Sequence, residues 1–461
     1  MSARKLKQRD GTVVDTALID TFKEGFHGRV IRPGDGDYDR AREIWNANID
    51  RHPGMIAQCL GTTDIIRAVT FARENRLVVA VRGGGHNVAG RALCDDGIVI
   101  DLSLMKGVHV DPRQQTAWIQ AGATLGDIDR ETALYGLAVP CGVISRTGIA
   151  GLTLGGGVGW LVRKYGLSCD NLISCEVVTA DGKLVTASEE THADLFWGLR
   201  GGGGNFGVVS SFLFRAHPVS TVLGGMILYP RDAAKAVLQN YRSYVRSAPE
   251  ELTAYAALMS TPEGQPAIAI AACYCGDLAE GEKVLAPLRS FGAPMADLIQ
   301  PLPFSDMQAM FDGAFPDRSH NYWKSAFLTE LPDDVIDIIV EHANRMASPL
   351  SAMMVEFYGG AMGRIPPAAT AFSQRQADYN IGIMSQWLDD GEGDRHIRLA
   401  REAYDALQPF ATGRYLSNFV SDEKPEQVQA AFSGNYARLR AVKTKYDPTN
   451  LFSLNQNVPP A

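Results

Sequence analysis

The sequence lacks the features that mark membrane-spanning, secreted and nucleic-acid-binding proteins. No apolar run of about 18 residues occurs, and the polar segment Met1–Lys7 is not followed by the apolar stretch of a signal peptide. Lys and Arg number 44 against 52 Asp and Glu, which leaves a net charge of −8 and argues against a polyanionic partner. We therefore expect a cytoplasmic protein that binds neither a membrane nor nucleic acid.

Cysteine is scarce and forms neither a disulfide pattern nor a metal-binding pattern. The seven cysteines are odd in number, include no CxxC pair and have no histidine at metal-ligand spacing. We expect reduced, mostly buried thiols and no bound metal. The cysteines are Cys59, Cys94, Cys141, Cys169, Cys175, Cys273 and Cys275.

Length and hydrophobic patterning predict a multidomain globular protein of the α+β class. A chain of 461 residues exceeds one typical domain, and 46% hydrophobic with 21% charged residues is ordinary for a folded protein. Apolar residues recur at helical spacing over Thr62–Glu74, which predicts a helix. Over residues 221–410, short alternating runs separated by helical segments predict an antiparallel sheet with helices on one face.

Glycine, by contrast, is abundant and clustered, since 24 of the 46 glycines lie in residues 81–210. The first cluster, Val81–Gly90, lies between two apolar runs, which predicts a strand, a glycine loop and a second strand. Consecutive glycines permit positive φ and let backbone N–H groups converge on an anion, to which Arg82 adds a fork of donors. The loop is predicted to hold a phosphorylated ligand faced by His86. The alternative is a glycine-rich hairpin with an incidental histidine.

Two further glycine clusters occupy residues 148–159 and 201–207. Gly202, Gly204 and Gly207 have the spacing of a Rossmann dinucleotide-binding loop, but that loop lies between a strand and a helix. Here a predicted helix precedes the glycines and a predicted strand follows them. We therefore reject a Rossmann site, and no Walker sequence occurs.

Four motifs in a fixed order carry a resemblance to a known family. They are R-G-G-G-H-N from Arg82, G-I-A-G-L-T-L-G-G-G-V-G from Gly148, R-K-Y-G-L-S-C-D-N from Arg163 and D-L-F-W-G-L-R-G-G-G-G-N-F-G-V-V from Asp194. With K-Y-D-P-T-N-L-F and N-Q-N-V-P near the C-terminus, the chain resembles the FAD-linked oxidases of the berberine-bridge-enzyme-like group. That group belongs to the vanillyl-alcohol-oxidase, or PCMH-type, flavoprotein superfamily. The resemblance is strong over residues 50–220 and 410–461 and weak between them.

The resemblance implies a PCMH-type FAD-binding domain in two parts, residues 1–220 and 411–461, and a substrate-binding domain, residues 221–410. It implies that His86 bonds covalently to the flavin. The other implied cofactor-binding residues are Arg82, Gly83, Gly84, Gly85, Asn87 and Gly90 at the pyrophosphate, Gly148, Gly151, Gly155, Gly156, Gly157 and Gly159 along the dinucleotide, Val208 near the adenine, and Asn435 and Asn455, which bring the C-terminal segment over the flavin ring.

Two positions depart from the family pattern. Many relatives attach the flavin a second time through a cysteine, but Ile144 stands at that position here. Cys141, three residues earlier, would substitute only if the loop were re-registered. The family's Tyr-x-Asn-Tyr motif ends in a tyrosine that serves as base in some members, and here Phe419 replaces it. We therefore expect a single histidyl bond and a base at another position, or none.

The resemblance further implies an oxidase that removes hydride from a C–H next to O or N of a small organic substrate and passes electrons to O2, giving H2O2.

Thr147 matches the family position that gates oxygen access, and Tyr415 or Glu356 is the candidate base unless the substrate is an amine. The candidates for side chains that the sheet turns toward substrate are Glu356, Tyr358, Tyr379, Gln386 and Tyr415, and the alternative for each is an ordinary sheet residue. Residues 315–323 are a candidate lid, and the alternative is a plain connection. A dehydrogenase with another acceptor and a non-catalytic, ligand-sequestering flavoprotein remain open. We expect a monomer or a homodimer.

Overall fold

The computed structural model describes residues 5–412, 418, 420–422 and 424–461. Its first sheet consists, in spatial order, of β1 (Arg29–Ile31), β2 (Met55–Gln58), β4 (Ile98–Asp101) and β3 (Val79–Arg82), accompanied by α1 (Thr16–Glu24), α2 (Tyr38–Ala41) and α3 (Thr62–Glu74). The helix predicted over residues 62–74 is confirmed as α3, which links β2 to β3.

Strands β3 and β4 pair in parallel on either side of the first glycine loop. The hairpin alternative is therefore wrong, because a hairpin requires antiparallel strands.

A second sheet of five antiparallel strands carries the other two glycine clusters on its connections. In spatial order its strands are β5 (Val108–Asp111), β6 (Thr116–Gln120), β9 (Val208–Arg215), β7 (Leu172–Val178) and β8 (Leu184–Ser188). Its connections hold α4 (Leu125–Ala133), α5 (Ile149–Leu154), α6 (Val162–Tyr165) and α7 (Ala193–Leu199). The third glycine cluster follows α7 and precedes β9, so the order that argued against a Rossmann site is confirmed.

A third sheet, fully antiparallel, occupies the middle of the chain and confirms the predicted fold class. In chain order its strands are β10 (Thr221–Pro230), β11 (Leu252–Ser260), β12 (Pro266–Tyr274), β13 (Ala296–Asp297), β14 (Gln300–Pro303), β15 (His320–Leu328), β16 (Ala352–Phe357) and β17 (Tyr379–Trp387). Their spatial order is β13-β10-β12-β11-β16-β17-β15, with β14 also paired to β10. The helices of this part are α8 (Ala234–Val245), α9 (Leu278–Arg289), α10 (Phe304–Ala309), α11 (Asp333–Arg345), α12 (Gly360–Arg364) and α13 (Gly393–Leu407).

The third sheet has two faces with different partners. Val355, Ile381 and Ile383 point to the outer face, where they pack with the apolar sides of α8, α11 and α13. Residues of alternate parity point to the opposite face, which we call the inner face. There Tyr255 stacks on Trp160 of the N-terminal half, with ring centroids 5.1 Å apart. The inner face therefore lies against the glycine-rich part of the chain.

The C-terminal segment returns to the N-terminal core. It contains α14 (Pro425–Phe432) and α15 (Tyr436–Tyr446), and Leu439, Phe452 and Val458 are buried in the same core cluster as β2 and β9. These contacts support the two-part domain, residues 1–220 with 411–461, which we retain as a proposal together with a separate unit at 221–410. Among the helices described, none combines the length and the apolar character needed to cross a membrane.

Candidate active site

One cavity joins the three glycine clusters, the C-terminal segment and the inner face of the third sheet. The predicted site residues that line it are Gly83, Gly84, Gly85, His86, Asn87, Thr147, Gly148, Gly151, Gly155, Val208, Glu356 and Asn455. Sequence reasoning missed several other lining residues, namely Arg91, Gly203, Gly204, Phe311, Met354, Met384, Phe452 and Gln456. The glycine clusters and the C-terminal segment, which carry the family motifs, thus share one cavity with the third sheet, which carries none.

The first and second glycine loops touch each other through their backbones. A Cβ on Gly84 would lie 2.6 Å from both N and Cα of Gly148, and a Cβ on Gly148 would lie 2.4 Å from N of Gly84. Real Cβ atoms do not approach backbone this closely, so neither position accepts a side chain without displacement. Glycine at these two sites brings two loops together at the wall of the cavity.

Two other glycines face open space instead of protein. A Cβ on Gly151 or Gly204 would meet no protein atom within 4 Å, although both residues line the cavity. Neither glycine has a positive φ. Protein packing and backbone strain therefore do not require glycine there, and the missing side chains leave room for a ligand.

His86 lies on the cavity wall against Trp45. The imidazole and indole rings are stacked, with centroids 4.2 Å apart and 12° between planes. The residue is half-buried as a whole, but its Nε2 atom is buried and has no hydrogen-bond partner among the described residues. Burial lowers the pKa of His86 to about 4, and the Arg146 guanidinium acts in the same direction. The ring is therefore neutral at pH 7 and offers an unprotonated nitrogen.

The prediction that Arg82 wraps a pyrophosphate needs correction. Arg82 does not line the cavity, because its guanidinium points behind the loop. Its Nε donates to Oδ1 of Asp101 at 3.1 Å, its Nη2 pairs with the other carboxylate oxygen, and its Nη1 donates to the Ala41 carbonyl at 2.6 Å. With these partners the side chain braces β3 against β4 and does not point at a ligand in the cavity.

Five other predicted cofactor-binding residues are also absent from the cavity wall. A Cβ on Gly159 would lie 2.0 Å from the Cys141 carbonyl oxygen, so this glycine makes room for protein. Asn435 Nδ2 donates to the carbonyls of Pro367 and Thr370, at 2.9 and 3.0 Å, and fixes that segment. The remaining three, Gly90, Gly156 and Gly157, have positive φ and lie against protein side chains.

The C-terminal segment supplies one wall of the cavity. Asn455 Nδ2 donates to the Gly204 carbonyl at 3.1 Å, which ties the segment to the third glycine cluster. Its Oδ1 is buried without a hydrogen-bond partner in the described part of the chain. Arg91 Nη1 donates to the Asn455 carbonyl at 2.6 Å and brings a positive charge to the same wall. A lone arginine gives no sequence pattern, so only the fold identifies it.

The inner face of the third sheet forms the opposite wall, which is mostly apolar. Trp323, Met354 and Met384 line this wall together with Glu356, which is only 2% exposed. Glu356 Oε2 accepts hydrogen bonds from Tyr358 Oη at 2.8 Å and from Asn380 Nδ2 at 2.6 Å. Burial raises the pKa of Glu356 to about 7, while these two donors oppose the rise. A carboxyl with this pKa can accept a proton near neutral pH.

Three other residues that were predicted to face the substrate do not line the cavity. Tyr358 lies behind Glu356 and donates to it. Tyr379 belongs to the outer face and is packed in the helix-covered core, which corrects its assignment to the substrate side. Gln386 Nε2 donates to Ser319 Oγ at 3.1 Å and is absent from the cavity wall. Tyr415 and Phe419 lie outside the described residues.

Thr147, Ile144 and Cys141 lie on one connection between α4 and α5. Thr147 and Ile144 line the cavity, whereas Cys141 does not and belongs to the buried core. Burial raises the pKa of the Cys141 thiol well above its usual value, which leaves the unreactive protonated form. Cys141 therefore offers no reactive thiol to the cavity.

The candidate lid is held in place by the loop that follows Ile144. Ser145 N donates to Oδ1 of Asp312 at 2.8 Å. Arg146 Nη2 donates to the carbonyls of Asp312 and Phe315, at 2.8 and 2.9 Å. Because Phe311 and Phe315 line the cavity, these bonds fix the segment that supplies two aromatic rings to its wall.

Comparisons with known proteins show which proteins this chain is similar to. Residues 53–188 match the family model described as FAD binding domain, and residues 416–459 match the model described as berberine and berberine like. An FAD-linked oxidoreductase of Dictyostelium discoideum is 32% identical over 96% of this chain and 97% of its own length. The (R)-6-hydroxynicotine oxidase of Paenarthrobacter nicotinovorans is 31% identical over 94% of this chain and 97% of its own. The solved structure of 6-hydroxy-D-nicotine oxidase from Arthrobacter nicotinovorans has a TM-score of 0.89 at 30% identity, covering 97% of this chain and 100% of that one.

Proposed function

Because this chain belongs to the berberine-bridge-enzyme-like family of FAD-linked oxidoreductases, we propose that it is an oxidase. It removes hydride from a C–H next to O or N of a small organic substrate, and O2 takes up the electrons to give H2O2. One observation carries the proposal. The cavity that the glycine loops and His86 enclose on one side is closed on the other by the inner face of the third sheet, with the buried carboxyl of Glu356.

The residues of this cavity fit FAD. Gly151 and Gly204 leave space that no protein atom fills, and the Nε2 of His86 and the Oδ1 of Asn455 are buried polar atoms without partners among the described residues. When bound, FAD would supply the hydride acceptor and the route of electrons to O2. The backbone of residues 83–87 and 203–204 would hold the dinucleotide, and neutral His86 would carry the covalent bond.

The opposite wall determines which substrates enter. Trp323, Met354 and Met384 exclude water and favour a compact substrate with an apolar or aromatic part. Glu356 is the polar group with which such a substrate would orient its O–H or N–H. For an alcohol, its carboxylate would accept the hydroxyl proton. For a neutral amine no base is needed, because the nitrogen lone pair drives hydride loss.

We retain three further proposals for this protein. Thr147 lies on the cavity wall, where a short β-branched side chain would leave a path for O2 to the flavin. The protein acts in the cytoplasm. It is a monomer or a homodimer, with a small molecule and O2 as its reaction partners.

A screen for peroxide release tests the proposal. The purified holoenzyme is offered alcohols, amines and oligosaccharides in air, and H2O2 formation is measured together with O2 consumption. Equal amounts of H2O2 formed and O2 consumed are expected with at least one substrate class. Reduction of the flavin by a substrate followed by slow reoxidation in air would instead indicate a dehydrogenase. Tight ligand binding without flavin reduction would indicate a sequestering protein.

A further inference from the structure

Three side chains on the inner face form one hydrogen-bonded unit. Glu356 and Asn380 are paired directly across β16 and β17, and Tyr358 follows Glu356 by two residues, so all three share a face. Tyr358 Oη and Asn380 Nδ2 both donate to Glu356, at 2.8 and 2.6 Å. Each of the three residues is at most 2% exposed. They therefore form a buried polar group in an otherwise apolar wall.

The two hydrogen bonds are asymmetric. Both donors reach Oε2, and in the described part of the chain no group donates to Oε1. Glu356 nevertheless lines the cavity, whereas Tyr358 and Asn380 do not. The carboxyl is therefore held from behind by one oxygen, and the other oxygen is left for a ligand.

We infer that Tyr358 and Asn380 are positioning residues, which fix the Glu356 carboxyl with Oε1 toward the substrate and stabilise its ionised form. The inference rests on the proposed function only in assigning Glu356 to the substrate site. A donor to a carboxylate stabilises the charged form, and burial opposes that form. Without the two donors, Glu356 would be a neutral acid at pH 7 and could not accept a proton.

Other titratable groups near Glu356 do not replace these donors. Tyr255 on β11 faces it but donates to the Gly159 carbonyl, and Tyr241 on α8 lies behind the sheet and donates to the Ala254 carbonyl. Burial raises the pKa of both phenols well above the usual value, so they stay neutral. Arg163 is surrounded by backbone carbonyls, and His86 is neutral. Tyr358 and Asn380 are therefore the groups that favour the ionised form of this carboxyl against the effect of its burial.

An infrared pH titration of the holoenzyme tests the inference without any substrate. The carbonyl band of the protonated carboxyl is assigned as the band that Glu356→Gln removes, and its midpoint is followed across the neutral range. Tyr358→Phe and Asn380→Leu should each raise that midpoint by about one pH unit, since a hydrogen bond to a charged group has about this effect. Tyr379→Phe is the matched control, because Tyr379 Oη lies on the outer face with no partner in the described residues.

The outcomes separate the inference from the proposed function. A raised midpoint in Tyr358→Phe and Asn380→Leu, with an unchanged midpoint in Tyr379→Phe and retained FAD in all three, supports positioning even if the peroxide screen fails. Midpoints that coincide with wild type, or no band that depends on Glu356, would overturn it. If Asn380→Leu does not fold, Tyr358→Phe alone decides the question. For any substrate that the screen yields, the acid limb of the pH profile for flavin reduction should move with the infrared midpoint.

Discussion

The indole of Trp45 lies flat against the imidazole of His86, with ring centroids 4.2 Å apart. Trp45 is itself fixed at both ends, because its backbone N donates to the Gly85 carbonyl and its Nε1 donates to the Phe315 carbonyl, each at 3.3 Å. The stack therefore links His86, the glycine loop that carries it and the segment that contains Phe315. It also sets the plane of the imidazole before any flavin is present.

The first prediction concerns attachment of the flavin. Protein precipitated with acid should remain yellow, and a flavin-bearing peptide should contain His86. His86→Ala should release its flavin on denaturation, because no second bond holds it. Cys141→Ser should keep covalent flavin, since Cys141 is buried away from the cavity wall. A flavin adduct on Cys141 in the peptide map would contradict a single bond.

The second prediction concerns Trp45. Trp45→Leu should attach FAD more slowly than wild type when apoprotein and FAD are mixed, because the imidazole loses the ring that fixes its plane. Trp45→Phe should recover most of the rate, since an aromatic ring can still stack. The measurement is the fraction of acid-stable flavin over time. Equal rates in all three proteins would mean that the stack has no part in attachment.

The third prediction separates glycines that touch protein from glycines that face the ligand. Gly148→Ala should destabilise the fold by about 1–3 kcal/mol, because its Cβ would strike the backbone of Gly84. Gly204→Ala should leave stability nearly unchanged and lower the amount of bound FAD, because its Cβ enters the cavity. Gly36→Ala, whose Cβ would meet nothing within 4 Å and which is absent from the cavity wall, is the control for both. Denaturant unfolding and the flavin-to-protein absorbance ratio are the two readouts.

The fourth prediction concerns the return of the C-terminal segment. Lys443 is fully buried and donates to Asp447 at 2.7 Å and to the carbonyls of Asn205 and Phe452, at 2.8 and 2.9 Å. Lys443→Met leaves the Asp447 carboxylate buried and unpaired, which should cost about 3–5 kcal/mol and release FAD. Lys445→Met is the control, because Lys445 is exposed and its pair with Asp194 is worth at most about 1 kcal/mol. Equal losses in the two variants would contradict this role for Lys443.

The fifth prediction concerns stability against pH. Burial raises the pKa of Glu356 from its ordinary value of 4.5 to about 7. A group with a raised folded-state pKa contributes stability that is complete below pH 4.5 and is lost as pH rises through about 7. That contribution is about 3 kcal/mol. Glu356→Gln cannot ionise, so its unfolding free energy relative to wild type should rise by this amount between acid and neutral pH. Parallel curves for the two proteins would show that Glu356 does not titrate in this range.

Part of this protein follows from its sequence alone. The glycine clusters, the order of helix and strand around them and the helix over residues 62–74 all depend on short-range pattern, which the residues themselves determine. The motifs that place the chain in its family are local in the same sense. The replacement of the family's cysteine by Ile144 is likewise visible without coordinates.

The rest was decided by the tertiary structure, because it depends on contacts between distant segments. Alternation shows that every second residue of a strand shares a face, but it does not give the phase of one strand relative to the next. In the structure Glu356 is paired with Asn380, so these two side chains share the inner face. Tyr379, the neighbour of Asn380 in the chain, therefore points to the outer face and the helices. In the same way, Arg82 points away from the cavity because its guanidinium pairs with Asp101. Trp45 and Arg91 lie at the site because the fold packs them against His86 and Asn455.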